Sequence, residues 1–254
     1  MDRILVAENI VKSFGAGAEK RNVLDGVSVE MAAGEFVAIM GPSGSGKSTL
    51  LFALSGMDGI DSGRVIFNGA DLAGLGDDAL ADIRRNSMGV VFRQPTLLRN
   101  LDILDNIILP AMRDNRRNRD HIVERARRLM ERTGITGLEH RDIGEASGGQ
   151  LQRVGICRAL INDPRILFGD EPTGALNSTS ANEIMALLGE INRTGTTILL
   201  VTHDTRVAAR SGRVLYIFDG RIAGEYRPEG SGITDRDLRA GEEGLEAWLA
   251  GMRF

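Results

Sequence analysis

The run Gly41-Pro42-Ser43-Gly44-Ser45-Gly46-Lys47-Ser48-Thr49 constrains this chain more than any other feature. It follows the short apolar segment from Val37 to Met40 and opens the apolar run Leu50-Leu51-Phe52-Ala53-Leu54, so it reads as strand, glycine-rich loop and helix in succession. Glycines let backbone N–H groups curl around phosphate oxygens without Cβ interference, and the helix N-terminus adds partial positive charge at the same point. A triphosphate, ATP or GTP, is the expected ligand. Of the 31 basic residues only Lys12, Lys20 and Lys47 are lysine, so a lysine in this loop suggests a compact charge reaching between β- and γ-phosphates. Ser48 is expected to ligate Mg²⁺. A glycine-rich turn with no ligand would not need this strand before it and this helix after it.

The rest of the chain supplies an α/β framework for such a loop. Through about residue 228, strand-like and helix-like segments alternate with frequent glycines and no internal repeat. Val37 to Met40, Ile166 to Phe168, Ile198 to Thr202 and Val214 to Phe218 are short and apolar throughout, as strands of a parallel sheet buried on both faces should be. Asp25-Gly26 and Asn68-Gly69 read as two-residue hairpin turns, which predicts some antiparallel sheet as well. Ile184, Leu187, Leu188 and Ile191 fall at helical spacing, as do Ile122, Ala126, Leu129 and Met130. The arginines between Arg113 and Arg119 read as a solvated loop and helix face. After Pro228, Glu229-Gly230-Ser231-Gly232 reads as a linker, and Leu245, Trp248, Leu249 and Met252 mark a C-terminal helix that docks on its own domain or on another subunit.

Two further stretches carry chemistry. Ile166-Leu167-Phe168-Gly169-Asp170-Glu171 ends a buried strand in two acids, at the sheet edge where α/β proteins bind ligands. Asp170 suits Mg²⁺ held through water, and Glu171, pointing oppositely by strand alternation or displaced by the turn at Pro172, is placed to polarise an attacking water. In Ala146-Ser147-Gly148-Gly149-Gln150-Leu151-Gln152-Arg153, Ser147 and Gln150 have capping-box spacing, while Leu151, Val154, Cys157 and Ile161 mark an apolar helical face. Two glycines in a first helical turn are costly for packing alone, yet they expose N–H groups at a positive dipole end, which makes a second anion site. His203 follows the strand Ile198 to Thr202 and could hydrogen-bond a γ-phosphate. His121 and His140, in polar surroundings, read as surface residues. Cys157 reads as a buried structural thiol.

Taken together, the Gly41 to Thr49 loop, Ser147 to Gln150, Asp170-Glu171-Pro172-Thr173 and Val201-Thr202-His203-Asp204 make the chain resemble the nucleotide-binding subunit of ATP-binding cassette transporters. The resemblance implies a P-loop NTPase fold with a mostly parallel core sheet, an antiparallel β subdomain and a helical subdomain at about 94–162. The ATPase domain would be 1–228, and 229–254 the linker and amphipathic helix. It implies ATP and Mg²⁺ as ligands, with Phe14 stacking on adenine. It also implies a head-to-tail homodimer in which ATP lies between Gly41 to Thr49 of one copy and Ser147, Gly148, Gly149 and Gln150 of the other. A transmembrane permease would hold the chain at the cytoplasmic face of the membrane. Gly174-Ala175-Leu176-Asn177 and the Asn100 to Pro110 stretch look like the macrolide, lipoprotein-release and peptide-antibiotic export and resistance group, within which the peptide-antibiotic branch is expected.

The chain departs from that family's pattern in one consequential place. Val91-Phe92-Arg93-Gln94 puts Arg93 where a glutamine usually senses Mg²⁺ and the attacking water, and arginine offers a metal no lone pair. Either Gln94 takes over as the metal-sensing residue through a shifted loop, or Arg93 contacts the γ-phosphate directly. Ala146 stands for a usual leucine, and Asn177, near the expected dimer seam, for a usual aspartate.

Composition trims the alternatives. A length of 254 residues, 42% of them hydrophobic, supports a sizeable core. One cysteine excludes an internal disulfide framework and a Cys-rich zinc site, and suits a reducing compartment. The first residues lack a secretory pattern, and no apolar run approaches the ~18 to 20 residues of a membrane span. A formal charge of −4 without a broad basic face argues against nucleic acid as a partner. A DNA- or ribosome-acting relative would carry a coiled-coil insertion between Gly41 and Ser147 or a second cassette, and neither is present. A regulatory subunit that binds ATP and signals through a membrane partner with little transport is the other alternative.

Overall fold

Branched and aromatic residues in short runs become strands, and the computed structural model sorts these with their helices into two compact units. It describes residues 3–113, 116–228 and 235–252. One unit takes in the chain up to Leu80 and again from Thr197 onward, and the other spans Ala81–Thr196. The chain runs β1 (Arg3–Phe14), β2 (Arg21–Ala32), β3 (Phe36–Met40), α1 (Lys47–Leu54), β4 (Ser62–Phe67), β5 (Ala70–Asp71), α2 (Asp77–Ser87) and β6 (Met88–Phe92). It continues as α3 (Ile103–Met112), α4 (Arg119–Arg132), α5 (Gly148–Leu160), β7 (Ile166–Asp170) and α6 (Ser178–Arg193). The last elements are β8 (Thr197–Val201), α7 (Thr205–Ala208), β9 (Arg213–Phe218), β10 (Arg221–Tyr226) and α8 (Asp235–Gly251).

In the first unit, β3 is buried at every residue and pairs in parallel with β8 on one side and β9 on the other. Ile39 lies opposite Val201 and also opposite Leu215, so β3 and β8 end within a residue of each other while β9 runs two residues past the end of β3, and the loops that follow share an edge. β9 is less enclosed than its apolar sequence suggests. Its second neighbour, β10, is antiparallel, and Tyr216 and Phe218 stay half-buried. A separate antiparallel sheet has the order β2-β1-β4-β5. Asn68 and Gly69 both take positive φ between β4 and β5, the turn their sequence predicts. Asp25-Gly26 does not turn the chain. β2 runs straight through it, and the register against β1 slips between Ile10↔Val27 and Val11↔Asp25. The pair is a bulge because Leu24, Val27, Val29 and Met31 are all buried, and one extra residue after Leu24 brings the later three onto its face.

Helix α8 packs on this unit. Leu245 is fully buried with Ala38, Met40, Ala208, Ala209 and Val214, while Trp248 meets Tyr216 edge-on at 6.3 Å and tilts over Tyr226 at 5.5 Å. Aromatic contacts of this kind add to the area they bury. The linker expected at residues 229–232 lies outside the described residues.

In the second unit, β6 and β7 pair in parallel, and α3, α4 and α5 close a core that includes Ile103, Ile107, Ala126, Met130, Val154 and Cys157. The apolar stripes read in α4 and α6 are the buried ones except at Leu129, which is half-buried against the core. Asn106, buried within α3, accepts from Leu98 N–H and donates to the carbonyls of Leu98, Leu101 and Asp102. It thereby ties the loop before α3 to the helix itself. His121 and His140 are exposed, and His140 Nδ1 lies 3.2 Å from Asp102 Oδ2. Among the described residues no helix is long and apolar enough to cross a membrane.

Burial pushes the Cys157 thiol up to about 12, against a contact with Thr133 Oγ1 at 3.1 Å that works the other way. Because the unfolded thiol ionises first, stability is expected to fall as pH rises from about 9 toward 12, and Cys157→Ala should flatten that slope in urea titrations. Leu245→Ala should cost about 2 to 5 kcal/mol in urea unfolding, the loss expected for a large side chain removed from a packed core.

Candidate functional site

The phosphate loop leaves the end of β3 and enters α1 through glycines whose backbone no side chain could share. A Cβ on Gly41 would lie 2.1 Å from the Ile217 carbonyl, and one on Gly46 would lie 2.6 Å from the Val23 carbonyl. Gly46 takes φ +102 as the residue before α1 and supplies no side-chain cap. The first-turn N–H groups of α1, beginning at Lys47, have no intrahelical carbonyl and face the loop. Lys47 Nζ donates to the carbonyls of Gly41 at 3.0 Å and Pro42 at 2.8 Å, which holds the ammonium over the loop. Ser45 is buried, and its Oγ has no hydrogen-bond partner among the described residues. The turn between β9 and β10 braces the loop from behind, since Gly220 N–H donates to the Ser45 carbonyl at 3.2 Å. Concentrated N–H donors, a lysine and an unpartnered buried hydroxyl form a cradle that fits phosphate oxygens, with Ser48 at its helical end.

The same unit places two more expected residues. Thr202 N–H donates to the Ile39 carbonyl at 3.1 Å, which fixes the exit of β8 beside the exit of β3. His203 follows as an exposed residue on the edge that carries the phosphate loop. Asp204 next to it caps α7. Burial acts to raise its pKa, but the hydrogen bonds and charge of Arg206 outweigh that and hold the carboxyl below its ordinary value. Phe14 ends β1 with about half its ring exposed and the Lys12 ammonium 5.3 Å from its centroid.

In the second unit the register Phe92↔Asp170 puts the residue after each strand side by side. Those residues are Arg93 and Glu171. Arg93 Nη1 lies 3.3 Å from Glu171 Oε2, and Arg93 Nη2 donates to the Gly174 carbonyl at 3.3 Å. Glu171 sits at φ +45, a conformation that costs an ordinary residue about 1 to 3 kcal/mol and concentrates at functional sites. Gly174 N–H donates to the Glu171 carbonyl and closes this turn. Asp170 is half-buried at the end of β7, and Gln94 is exposed. Since the strand register carries no slip, Arg93 and not Gln94 faces Glu171.

Helix α5 begins as the sequence predicts. Ser147 Oγ accepts from Gln150 N–H, and Gln150 Oε1 accepts from Ser147 N–H, a complete capping box. Ser147 and Gly148 are exposed, and Gly149 and Gln150 are half-buried. Asn177 caps α6 by accepting from Ser180 N–H at 2.8 Å, so its side chain is engaged in ending a loop.

Sequence reasoning missed the second buried face of α5. Gln152 is buried and donates to the Phe92 carbonyl at 3.0 Å, Gly155 lies against Pro95, and Arg158 donates to the Thr96 carbonyl at 2.6 Å. Three successive turns of α5 thus clamp the loop that carries Arg93 and Gln94. The available signal was a polar residue, Gln152, in phase with Gly155 and Ile156 on a helix whose apolar stripe lay elsewhere.

A family profile described as "ABC transporter" matches residues 24–174. The Escherichia coli macrolide export ATP-binding/permease protein MacB is 42% identical over 222 residues, covering 87% of this chain and 34% of the relative. The protein of the same name from Chromobacterium violaceum is 44% identical over 218 residues, with 86% and 34% covered. The chain therefore spans about a third of the length of these curated relatives. A solved dimeric ATP-binding cassette in a post-hydrolysis state bound to ADP and Pi has 36% identity and a TM-score of 0.81, covering 89% of this chain and 99% of that one.

Proposed function

This chain belongs to the ABC transporter family, as an ATPase cassette of it, and on that footing we propose that it drives export through a transmembrane permease. The observation that carries the reading is the phosphate cradle, in which Gly41 and Gly46 bring backbone against backbone and the Lys47 ammonium lies over the loop. The loop N–H groups and Lys47 bind the β- and γ-phosphates, and Phe14 offers its exposed ring to adenine, which favours ATP.

Glu171 accepts a proton from water as the water oxygen bonds to the γ-phosphorus. The bond from that phosphorus to the β–γ bridging oxygen breaks, and its electron pair leaves with ADP. His203 donates a hydrogen bond to the γ-phosphate as charge accumulates there. Mg²⁺, when bound, neutralises phosphate charge. Ser48 offers it a hydroxyl and Asp170 a carboxylate, and both are hard oxygen donors of the kind it prefers.

The exposed, capped N-terminus of α5 supplies a second anion grip at Ser147 to Gln150. A grip of that kind suits a head-to-tail homodimer that closes on ATP and reopens after hydrolysis. The related cassette bound to ADP and Pi is dimeric, which supports pairing of two copies. Leu98, just after the loop that α5 clamps, and Leu109, on α3, are each nearly half exposed and offer apolar contacts to the permease. The name shared by the curated relatives makes macrolide-like compounds the first substrate class to try. On this reading the chain works peripherally, at the cytoplasmic face of the membrane.

Lys47→Ala should reduce equilibrium binding of a fluorescent ATP analogue by at least about tenfold, and parent-like affinity would remove the phosphate-loop assignment. Glu171→Gln should lower kcat by about 10² to 10⁴ while retaining ATP binding. With saturating ATP the same variant should run as a dimer on size exclusion, and a persistently monomeric profile contradicts the shared grip.

A further inference from the structure

We infer that Arg93 is a latch on Glu171, a positioning residue whose ion pair restrains the carboxylate and slows hydrolysis until the loop from Phe92 to Thr96 moves. The inference rests on the proposed role of Glu171 as the general base. It starts from a parallel pair of strands whose unslipped register sets Arg93 and Glu171 next to each other. The guanidinium then takes two anchors at once, Glu171 Oε2 and the Gly174 carbonyl, both at 3.3 Å. A planar fork of donors suits that double grip, and a glutamine with one amide group could not reproduce its charge.

Gly174 leaves the space that the latch needs. A Cβ there would lie 3.1 Å from both Arg93 Nε and Glu171 Oε2. The carboxylate side chain is only 20% exposed, whereas the arginine is 57% exposed and can leave toward solvent. While the pair holds, the carboxylate is turned with Oε2 toward the guanidinium, and arginine has no acceptor with which to orient a water itself.

The release path is also built into this unit. The loop bearing Arg93 is bonded to α5 at both ends, through Gln152 to the Phe92 carbonyl and through Arg158 to the Thr96 carbonyl. A displacement of α5 therefore pulls on the segment that positions the latch. Because α5 opens with the Ser147 capping box, engagement of its N-terminus by phosphate would act on Arg93 through one rigid helix.

The test uses the full chain with Arg93→Gln, Arg93→Lys and Glu171→Gln, reading steady-state ATP hydrolysis and equilibrium binding of a fluorescent ATP analogue. A latch predicts that Arg93→Gln raises kcat about two- to fivefold, the scale of a part-exposed ion pair, with KM and analogue affinity within about twofold of the parent. Arg93→Lys, which keeps the charge but not the fork, should fall between the parent and glutamine rates. An unchanged or lower kcat in Arg93→Gln overturns the latch. So does a roughly tenfold loss of analogue binding, which would make Arg93 a nucleotide contact, and so does a lysine variant as fast as the glutamine one. Hydrolysis surviving in Glu171→Gln brings down the general-base reading instead, and its loss there with no rise in Arg93→Gln brings down the latch alone.

Discussion

Parallel pairing of short, fully buried strands governs where a reactive side chain can stand in this protein. Strands β3 and β8 are buried at every residue and β7 at every residue but its last, Asp170, so their interiors cannot meet a solvent-borne ligand. Chemistry is pushed to the residues that follow their carboxyl ends, where the backbone leaves the ladder and polar groups regain access. The phosphate loop follows β3, His203 follows β8 and Glu171 follows β7. Alignment of strand ends then decides which of these groups become neighbours. Ile39 opposite Val201 sets one such level in the first unit, and Phe92 opposite Asp170 sets another in the second.

Backbone geometry at these exits is expensive, and the surrounding structure holds it in place. Gly41 and Gly46 lie where another strand or turn approaches too closely for any Cβ, so the loop is shaped by its neighbours as much as by its own sequence. Glu171 keeps a left-handed conformation without being glycine, closed by a bond from Gly174. The second unit adds a helix that does two jobs. Its N-terminus carries the capping box proposed to grip an anion, and its next turns hold the carbonyls of Phe92 and Thr96. A buried polar contact such as Gln152 to Phe92 transmits position well, because leaving it unmade would strand both groups away from water.

Much of this was legible in the amino-acid order. The loop glycines, Lys47, the Ser147–Gln150 box and the acids after Phe168 are local patterns in which spacing along the chain equals spacing in space, so helix and strand periodicity suffice to read them. Asn68-Gly69 forms its turn for the same reason. Asp25-Gly26 carried an identical turn signal and became a bulge, because burial of Leu24 and Val27 on one face outweighed the local preference of two residues. The wide buried face of α5 escaped notice because its second stripe consists of Gln152, Gly155 and Ile156, which hydrophobic periodicity counts only in part.

Sequence alone determined which residues could grip phosphate, activate water and start helices, since those capacities are properties of a few consecutive side chains and their peptide groups. Only tertiary structure decided that Arg93 meets Glu171. They belong to different strands, and no pattern within either one specifies a partner. The register between β6 and β7 does, and register is set collectively by how every buried side chain on the pair fits its surroundings.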